Sequence, residues 1–293
     1  MAKFSSVIIG HITIDENTDC LGKTEIIPGG AVVYSSASAY ALGHRVAAVT
    51  KVAAKDAGRM KAFTIPEEDI FLLPSEKSTD MVNIYHTPDK ERRTCACRSR
   101  GDAFAESEIA DFDTDIYHFA GLIYGDFDSE MIKSISKRAR VALDVQALLR
   151  HAAPDGSMFF EDYAEKNDVF PCVTYLKTDA AEAEILTGLT DRREAAKALY
   201  AMGAKEILIT HNSEVLAYAG GEFYTCPIKA RNLSGRTGRG DTTFAAYINE
   251  RLGKDIPSAL LTATATVSLK METPGPFKGT RADVESNITE LYA

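Results

Sequence analysis

The chain has 293 residues, of which 45% are hydrophobic and 26% charged, with a formal net charge of -9 at pH 7. A chain of this length buries about 75% of its unfolded surface and needs no disulfide or metal staple, and its balanced composition excludes a disordered or low-complexity protein. Its basic residues are scattered over an acidic whole, which argues against a broad nucleic-acid-binding face, and no apolar run reaches the ~20 residues of a membrane span. The N-terminal apolar run is too short for a signal peptide, so a cytoplasmic protein acting on a small molecule is expected. Five cysteines, Cys20, Cys95, Cys97, Cys172 and Cys226, are odd in number and lack paired metal spacing, so free thiols are expected.

Phe4 to Ile9 is a short β-rich run, and residues 11–28 alternate as two strands around a loop. Ala31 to Leu42 is dense in Ala and Ser and stops at Gly43, which predicts a closely packed helix; strand Val46 to Val52 follows. Around residues 81–97 two polar β runs joined by "TPDK" predict a hairpin that can serve as a flap, with Cys95 and Cys97 on one face. From Ile116 the pattern becomes regular. Strands "IYHFA", "VALDV", "CVTYLK" and "EILIT" alternate with helices near Ser129 to Arg138, Met158 to Glu165, Ala180 to Leu186 and Arg192 to Met202. A hairpin through Gly220-Gly221 and helices over Thr242 to Leu252, Ser258 to Met271 and Arg281 to Ile288 complete the chain. The predicted architecture is one α/β domain over residues 1–293, a doubly wound, mostly parallel sheet flanked by helices. A small β lid comes from residues 11–28 and 80–100. Ligands in such sheets sit at the carboxyl ends of the strands.

No G-x-G-x-x-G follows the first strand, and the "GKT" at Gly22 to Thr24 lacks the first glycine of a P-loop. The stretch that remains is "GRTGRGDTTFAAY", residues 235–247, in which Gly238 and Gly240 precede a helix with apolar residues at helical spacing. Unpaired N–H groups at a helix start suit an anion, and glycines let it approach. Asp241 there reads equally as a helix cap or as a site residue.

"GRTGRGDT" is similar to the D-T-x-G-A-G-D signature of the ribokinase-like (PfkB) carbohydrate kinases, with Gly238, Gly240 and Asp241 on matching positions. Gly29-Gly30 before the small-residue helix resembles that family's N-terminal G-G motif. "KTDAAEAEILTG" resembles its K-x-N-x-x-E segment through Lys177, Asp179 and Glu182, and "ILITHNSEV" resembles its nucleotide-contacting strand and turn through Thr210. The resemblance implies a kinase that moves the γ-phosphate of ATP, with Mg²⁺ positioned by Glu182, to a small sugar or polyol. Asp241 would be the base, and Gly238, Arg239 and Gly240 would form the anion hole. It implies that Asp15, Gly29 and Gly30 hold substrate hydroxyls and that the 81–97 hairpin is the lid. Asp144, with Asp126, Gln146 and Arg150, follows strand ends on the same side as a further substrate candidate. Plainer readings stand beside these: Asp179-x-x-Glu182 also matches a capping box, and Asp15 an ordinary turn acid.

Three positions depart from the family pattern. Gly235 replaces the leading acid that commonly helps to hold a monovalent cation. Arg239 stands between the two glycines, where it either stabilises the transferring phosphoryl group or faces solvent. Tyr34 replaces the Asn that contacts ribose-like sugars. With "DVQALLR" after its strand, the chain looks most like the inositol-kinase-like branch, so a kinase of myo-inositol is expected, with lid strands that can pair in a homodimer; a kinase of another sugar or nucleoside (ribose, fructose or adenosine type) and a non-catalytic sugar- or nucleotide-binding regulator are the alternatives.

Overall fold

In the strand Arg140–Asp144, Val141 and Leu143 pack into one cluster of buried side chains and Ala142 into another. A strand buried on both faces needs a cover on each, which a parallel sheet supplies with crossover helices. The computed structural model describes residues 3–87 and 92–292, and most of the turn expected at "TPDK" lies outside them. In chain order, β1 (Phe4–Ile9), β2 (Thr13–Thr18) and β3 (Thr24–Gly29) lead to α1 (Ala31–Ala41), β4 (Val46–Val52), β5 (Ile70–Pro74), β6 (Thr79–Tyr85), β7 (Arg93–Ser99) and β8 (Thr114–Phe119). There follow α2 (Ser129–Ile135), β9 (Arg140–Asp144), α3 (Gln146–Leu149), β10 (Arg150–Ala152), β11 (Met158–Phe160), α4 (Lys166–Val169), β12 (Tyr175–Asp179), α5 (Ala180–Thr187) and α6 (Arg192–Ala201). The chain closes with β13 (Glu206–Thr210), β14 (Glu214–Ala219), β15 (Glu222–Pro227), α7 (Arg239–Glu250), α8 (Ile256–Lys270) and α9 (Arg281–Leu291).

Among the described residues a nine-stranded sheet runs β15-β14-β13-β12-β9-β8-β1-β4-β5, parallel from β13 to β5 and antiparallel at β14 and β15. Residues of α2, α5 and α6 share one face with Val7, Ile9, Val141, Leu143 and Leu176, while α7, α8 and α9 cover Ile116, Ala142, Tyr175 and Leu208 on the other. The second, four-stranded sheet has the order β3-β2-β6-β7, so its halves come from residues 13–29 and 79–99. No helix among the described residues is long and apolar enough to cross a membrane.

Two expectations change. The helix read near Met158 to Glu165 is instead β11, paired antiparallel with β10 through Ala152↔Met158 and Arg150↔Phe160. The cause is local: Asp155 accepts hydrogen bonds from the N–H and Oγ of Ser157, and Gly156 takes φ +87, a tight turn that reverses the chain. Helix α7 begins at Arg239 rather than Thr242, which puts Asp241 inside its first turn. All five cysteines are free.

At the far end of α7, buried Glu250 receives His44 at 2.7 Å, Lys254 at 2.6 Å and Arg281 at 2.6 Å, tying the loop after α1 to the starts of α8 and α9. Burial would raise its carboxyl, but the hydrogen bonds from His44, Arg281 and Lys254 outweigh it and hold the group far below its ordinary value of 4.5. A depressed carboxylate stabilises the fold above its unfolded pKa and loses that contribution as pH falls through the folded value. Glu250→Ala is therefore expected to lower unfolding free energy at neutral pH by about 2 to 3 kcal/mol, less than for a fully buried pair because the cations are partly exposed. Urea denaturation checks this, and the difference from wild type should shrink steadily below pH 4.5.

Candidate active site

The turn that starts α7 is shaped by glycines for steric reasons that the packing makes explicit. Gly238 is the N-cap with φ +77, and a Cβ there would lie 2.1 Å from Cδ1 of Tyr34. Only glycine meets both conditions without strain. A Cβ on Gly240 would come within 3.1 Å of Lys177 Nζ. One on Gly235 would come 1.8 Å from the carbonyl oxygen of Thr273, so the leading acid of the related signature has no room here. No side chain caps this helix start. Its N–H groups and positive dipole end are thus available to an anion.

Asp241 lies where two cavities meet. One is bordered by Lys177, Asp179, Glu182, Thr210, Arg236, Arg239 and Gly240; the other by Thr13, Asp15, Gly30, Tyr34, Asn83 and Arg150; both touch Arg93, Gln146, Thr237, Gly238 and Asp241. Burial pushes the Asp241 carboxyl up to about 6, Asp144 adds to the shift, and Lys177, Lys270 and Arg150 pull it back. A carboxylate poised just below neutral pH is matched to taking a proton from a hydroxyl. Among the described residues the first cavity carries no aliphatic side chain on its walls, one aromatic ring, Tyr85, and four cations, Arg93, Lys177, Arg236 and Arg239. The second presents hydrogen-bonding groups at several angles, which suits a ligand covered in hydroxyls.

Lys177, from the middle of β12, is buried and sits 2.9 Å from Asp144 and 3.9 Å from Glu182. Burial alone would lower its ammonium, but Asp144 and Glu182 outweigh that and keep it charged. Asp179 and Glu182 form the capping box of α5: each carboxylate accepts the other's backbone N–H at 2.8 Å. Each spends one oxygen on the box and retains a second. Burial raises the Glu182 carboxyl, Asp179 raises it further, and Lys177 opposes both. Thr210, at the end of β13, borders the same cavity beside Asp179, its neighbour across the sheet.

On the lid side, Asp15 is 7% exposed and accepts a hydrogen bond from Thr13 Oγ1 at 2.5 Å; burial raises its carboxyl. Gly29 makes room for it, since a Cβ would lie 2.3 Å from Asp15 Oδ2, and Gly30 starts α1 at φ +98 beside the cavity. Asp144 departs from the expectation that it holds substrate: its carboxylate is engaged by Lys177 and by the N–H of Gln146, and it borders neither cavity. Asp126 likewise serves its own loop, accepting from the N–H groups of Leu122 and Ile123. Arg239 is half-buried on the cationic cavity wall.

Sequence reasoning missed Asn83, Arg93, Arg236 and Lys270. Asn83 donates to Asn17 Oδ1 at 2.9 Å and accepts from Cys95 Sγ at 3.1 Å, so neighbouring lid strands fix its orientation. The Lys270 signal was present: it is a lone cation at the end of "ALLTATATVSLK", an otherwise uncharged helix.

A model of the pfkB family of carbohydrate kinases matches residues 3–281. The cytidine kinase of Thermococcus kodakarensis is 26% identical over 257 residues, covering 83% of this chain and 86% of that protein. A pyrophosphate-dependent kinase of the ribokinase family, solved with sulfate, superposes with a TM-score of 0.87 at 31% identity, covering 96% of this chain and 99% of that one. Such a kinase complexed with a pyrophosphate analog and myo-inositol gives 0.87 at 30% identity, with the same coverage of 96% and 99%. Arabidopsis thaliana ribokinase, complexed with ribose and ATP, shares the fold at 16% identity and a TM-score of 0.74 over 98% of this chain and 99% of its own.

The turn's geometry carries its own test. Gly238→Ala forces an L-residue to φ +77 against Tyr34 and is expected to cost roughly 1 to 3 kcal/mol. Thermal unfolding of the single variant and of Gly238→Ala with Tyr34→Ala should show part of that loss recovered in the double variant.

Proposed function

Because the chain belongs to the pfkB family of carbohydrate kinases, we propose that it phosphorylates a hydroxyl of a cyclic polyol, myo-inositol first, with inorganic pyrophosphate as donor. The observation that carries this reading is the pair of cavities sharing Asp241, one walled by four cations with Asp179, Glu182 and the ring of Tyr85, the other by hydrogen-bonding side chains together with Ala31, Met81 and Leu122. A small polyanion is held by charge alone and needs no apolar surface. The similar kinases named with pyrophosphate and myo-inositol support the same choice. ATP, the donor implied by the family resemblance, is the alternative. Cytidine is the alternative acceptor suggested by the curated relative. Among the described residues the only aromatic ring on the acceptor cavity is Tyr34, which is 2% exposed and packed against Gly238, leaving little face on which to stack a base.

In this reading Asp15, Asn83 and the backbone at Gly30 orient the polyol, and Asp241 accepts the proton of the attacking hydroxyl. A new oxygen–phosphorus bond forms as the bridging bond of pyrophosphate breaks and orthophosphate leaves. Lys177, Arg236, Arg239 and the start of α7 hold the charge that moves to the leaving group. Among the described residues no cluster of three metal-ligating acids, histidines or cysteines exists. That fits Mg²⁺, which keeps its waters and takes one or two carboxylates plus phosphate oxygens. The second oxygens of Glu182 and Asp179 are the groups to hold it, and the ion supplies neutralisation of phosphate charge when bound. The homodimer expected through the lid would use the outer lid face, where Ile26 and Ile84 are exposed.

Steady-state assays with myo-inositol, ribose and cytidine, each against pyrophosphate and ATP, test the assignment directly. Turnover with pyrophosphate and myo-inositol is expected; a clear preference for ATP would return the donor to the family's common choice. Asp241→Asn should lower kcat by about 10² to 10⁴ with little change in donor binding. The wild-type rate should fall below about pH 6, where the raised Asp241 carboxyl takes up a proton and can no longer act as base.

A further inference from the structure

Lys270 is the last residue of α8 and is fully buried. Its ammonium donates to the carbonyl oxygen of Gly235 at 2.5 Å and to that of Thr237, the two carbonyls that flank Arg236 in the anion-binding turn. The ring of Tyr34 lies beneath it, 5.0 Å from Nζ. Among the described residues no carboxylate forms an ion pair with Lys270, although Asp241 lies near enough to raise its pKa. A lysine buried without a salt-bridge partner is costly. Burial pulls this ammonium down to about 7, with Asp241 acting against it, and the carbonyl acceptors also favour the charged form.

Backbone carbonyls with an aromatic face are the donors that coordinate a desolvated alkali cation, and a primary ammonium replaces such an ion without change in charge. We propose that Lys270 is a tethered monovalent cation: its ammonium fixes the carbonyls of the anion-binding turn and so frees the enzyme from any need for a bound potassium ion. It is a positioning residue, acting on the donor phosphate through the turn. Three features join in this role. The end of α8 places a cation at the negative end of that helix's dipole, which favours it. The N–H of Gly235 bonds the carbonyl of Met271 at 2.7 Å, so the turn and the helix end are clamped together. Tyr34 supports both Lys270 and Gly238, so the ammonium and the left-handed residue share one wall.

The kinetic part of the inference rests on the proposed phosphoryl transfer; a stability measurement makes the cation claim independent of it. Lys270→Ala opens the site, and its thermal unfolding is followed in chloride salts of lithium, potassium, ammonium and choline at equal ionic strength, beside wild type. Wild-type unfolding and turnover are expected to be the same in every salt. The variant is expected to unfold earlier in choline or lithium, to recover in potassium or ammonium, and to lose kcat roughly tenfold or more in choline, regaining much of it with the same two ions. Lys270→Arg, which keeps the charge, should retain more activity than Lys270→Met. If Lys270→Ala can be purified folded only in potassium or ammonium, the proposal stands. It is overturned if the variant responds alike to all four salts, if the variant folds in none of them, or if wild type is itself activated by potassium. Should no donor and acceptor pair turn over, the function proposed above fails while the salt-selective recovery of stability still decides this inference.

Discussion

Asp241 is a carboxylate taken out of water, and the desolvation that raises it to about 6 is the constraint around which the site is arranged. Left alone in an apolar setting it would hold its proton at neutral pH; fully solvated, it would return to the ordinary carboxylate range. Lys177, Lys270 and Arg150 keep it between those limits. Those cations require partners of their own, and Asp144 and Glu182 serve Lys177 while backbone carbonyls serve Lys270 and, through Leu122, Arg150. The sheet delivers Asp144 from the end of β9 and Lys177 from the middle of the adjacent parallel strand β12, in register with one another. Helices α7 and α8 deliver Asp241 and Lys270 against them. The charge balance is therefore distributed over elements far apart in sequence, and the parallel order of β9, β12 and β13 brings it together.

Much of this was readable in one dimension because it rests on local patterns. Strand Val46 to Val52 is bounded in the structure as its β-branched composition predicts, and α5 and α6 begin where Asp179 and Asp191 cap them. The glycines of the anion turn were legible for the same reason. What escaped depended on contacts across the chain. The three large apolar residues at Met158 to Phe160 fit a helix face as well as a strand, and the reversal of the chain at Asp155 to Ser157 decides for the strand. Asp144 stands at a strand end, where ligands often bind, and no sequence pattern reveals that Lys177 occupies it. The lid residues Asn83 and Arg93 lie on strands whose facing surface is fixed only by the pairing of β2 with β6. Asp179 and Glu182 illustrate a different point, since the capping reading and the site reading describe the same atoms: the box that starts α5 also holds both acids on the cavity wall.

The four-stranded lid is assembled from two separate stretches of chain, one on each side of α1, β4 and β5, and joined by the parallel pairing of β2 with β6. It contributes Thr13, Asp15, Met81 and Asn83 to the second cavity, whereas the first is drawn mainly from β12, α5, β13 and the start of α7, with Tyr85 and Arg93 from the lid. The molecule is thus divided into a reader and an engine. In the proposed reading, substitutions at Asp15 or Asn83 bear on which hydroxylated molecule is accepted, whereas Arg93, on the wall of both cavities, ties the lid to the charges around Asp241. Replacements at the sheet ends alter the phosphate chemistry and leave the lid intact. A scaffold partitioned in this way can acquire a new acceptor in small, separately tolerated steps.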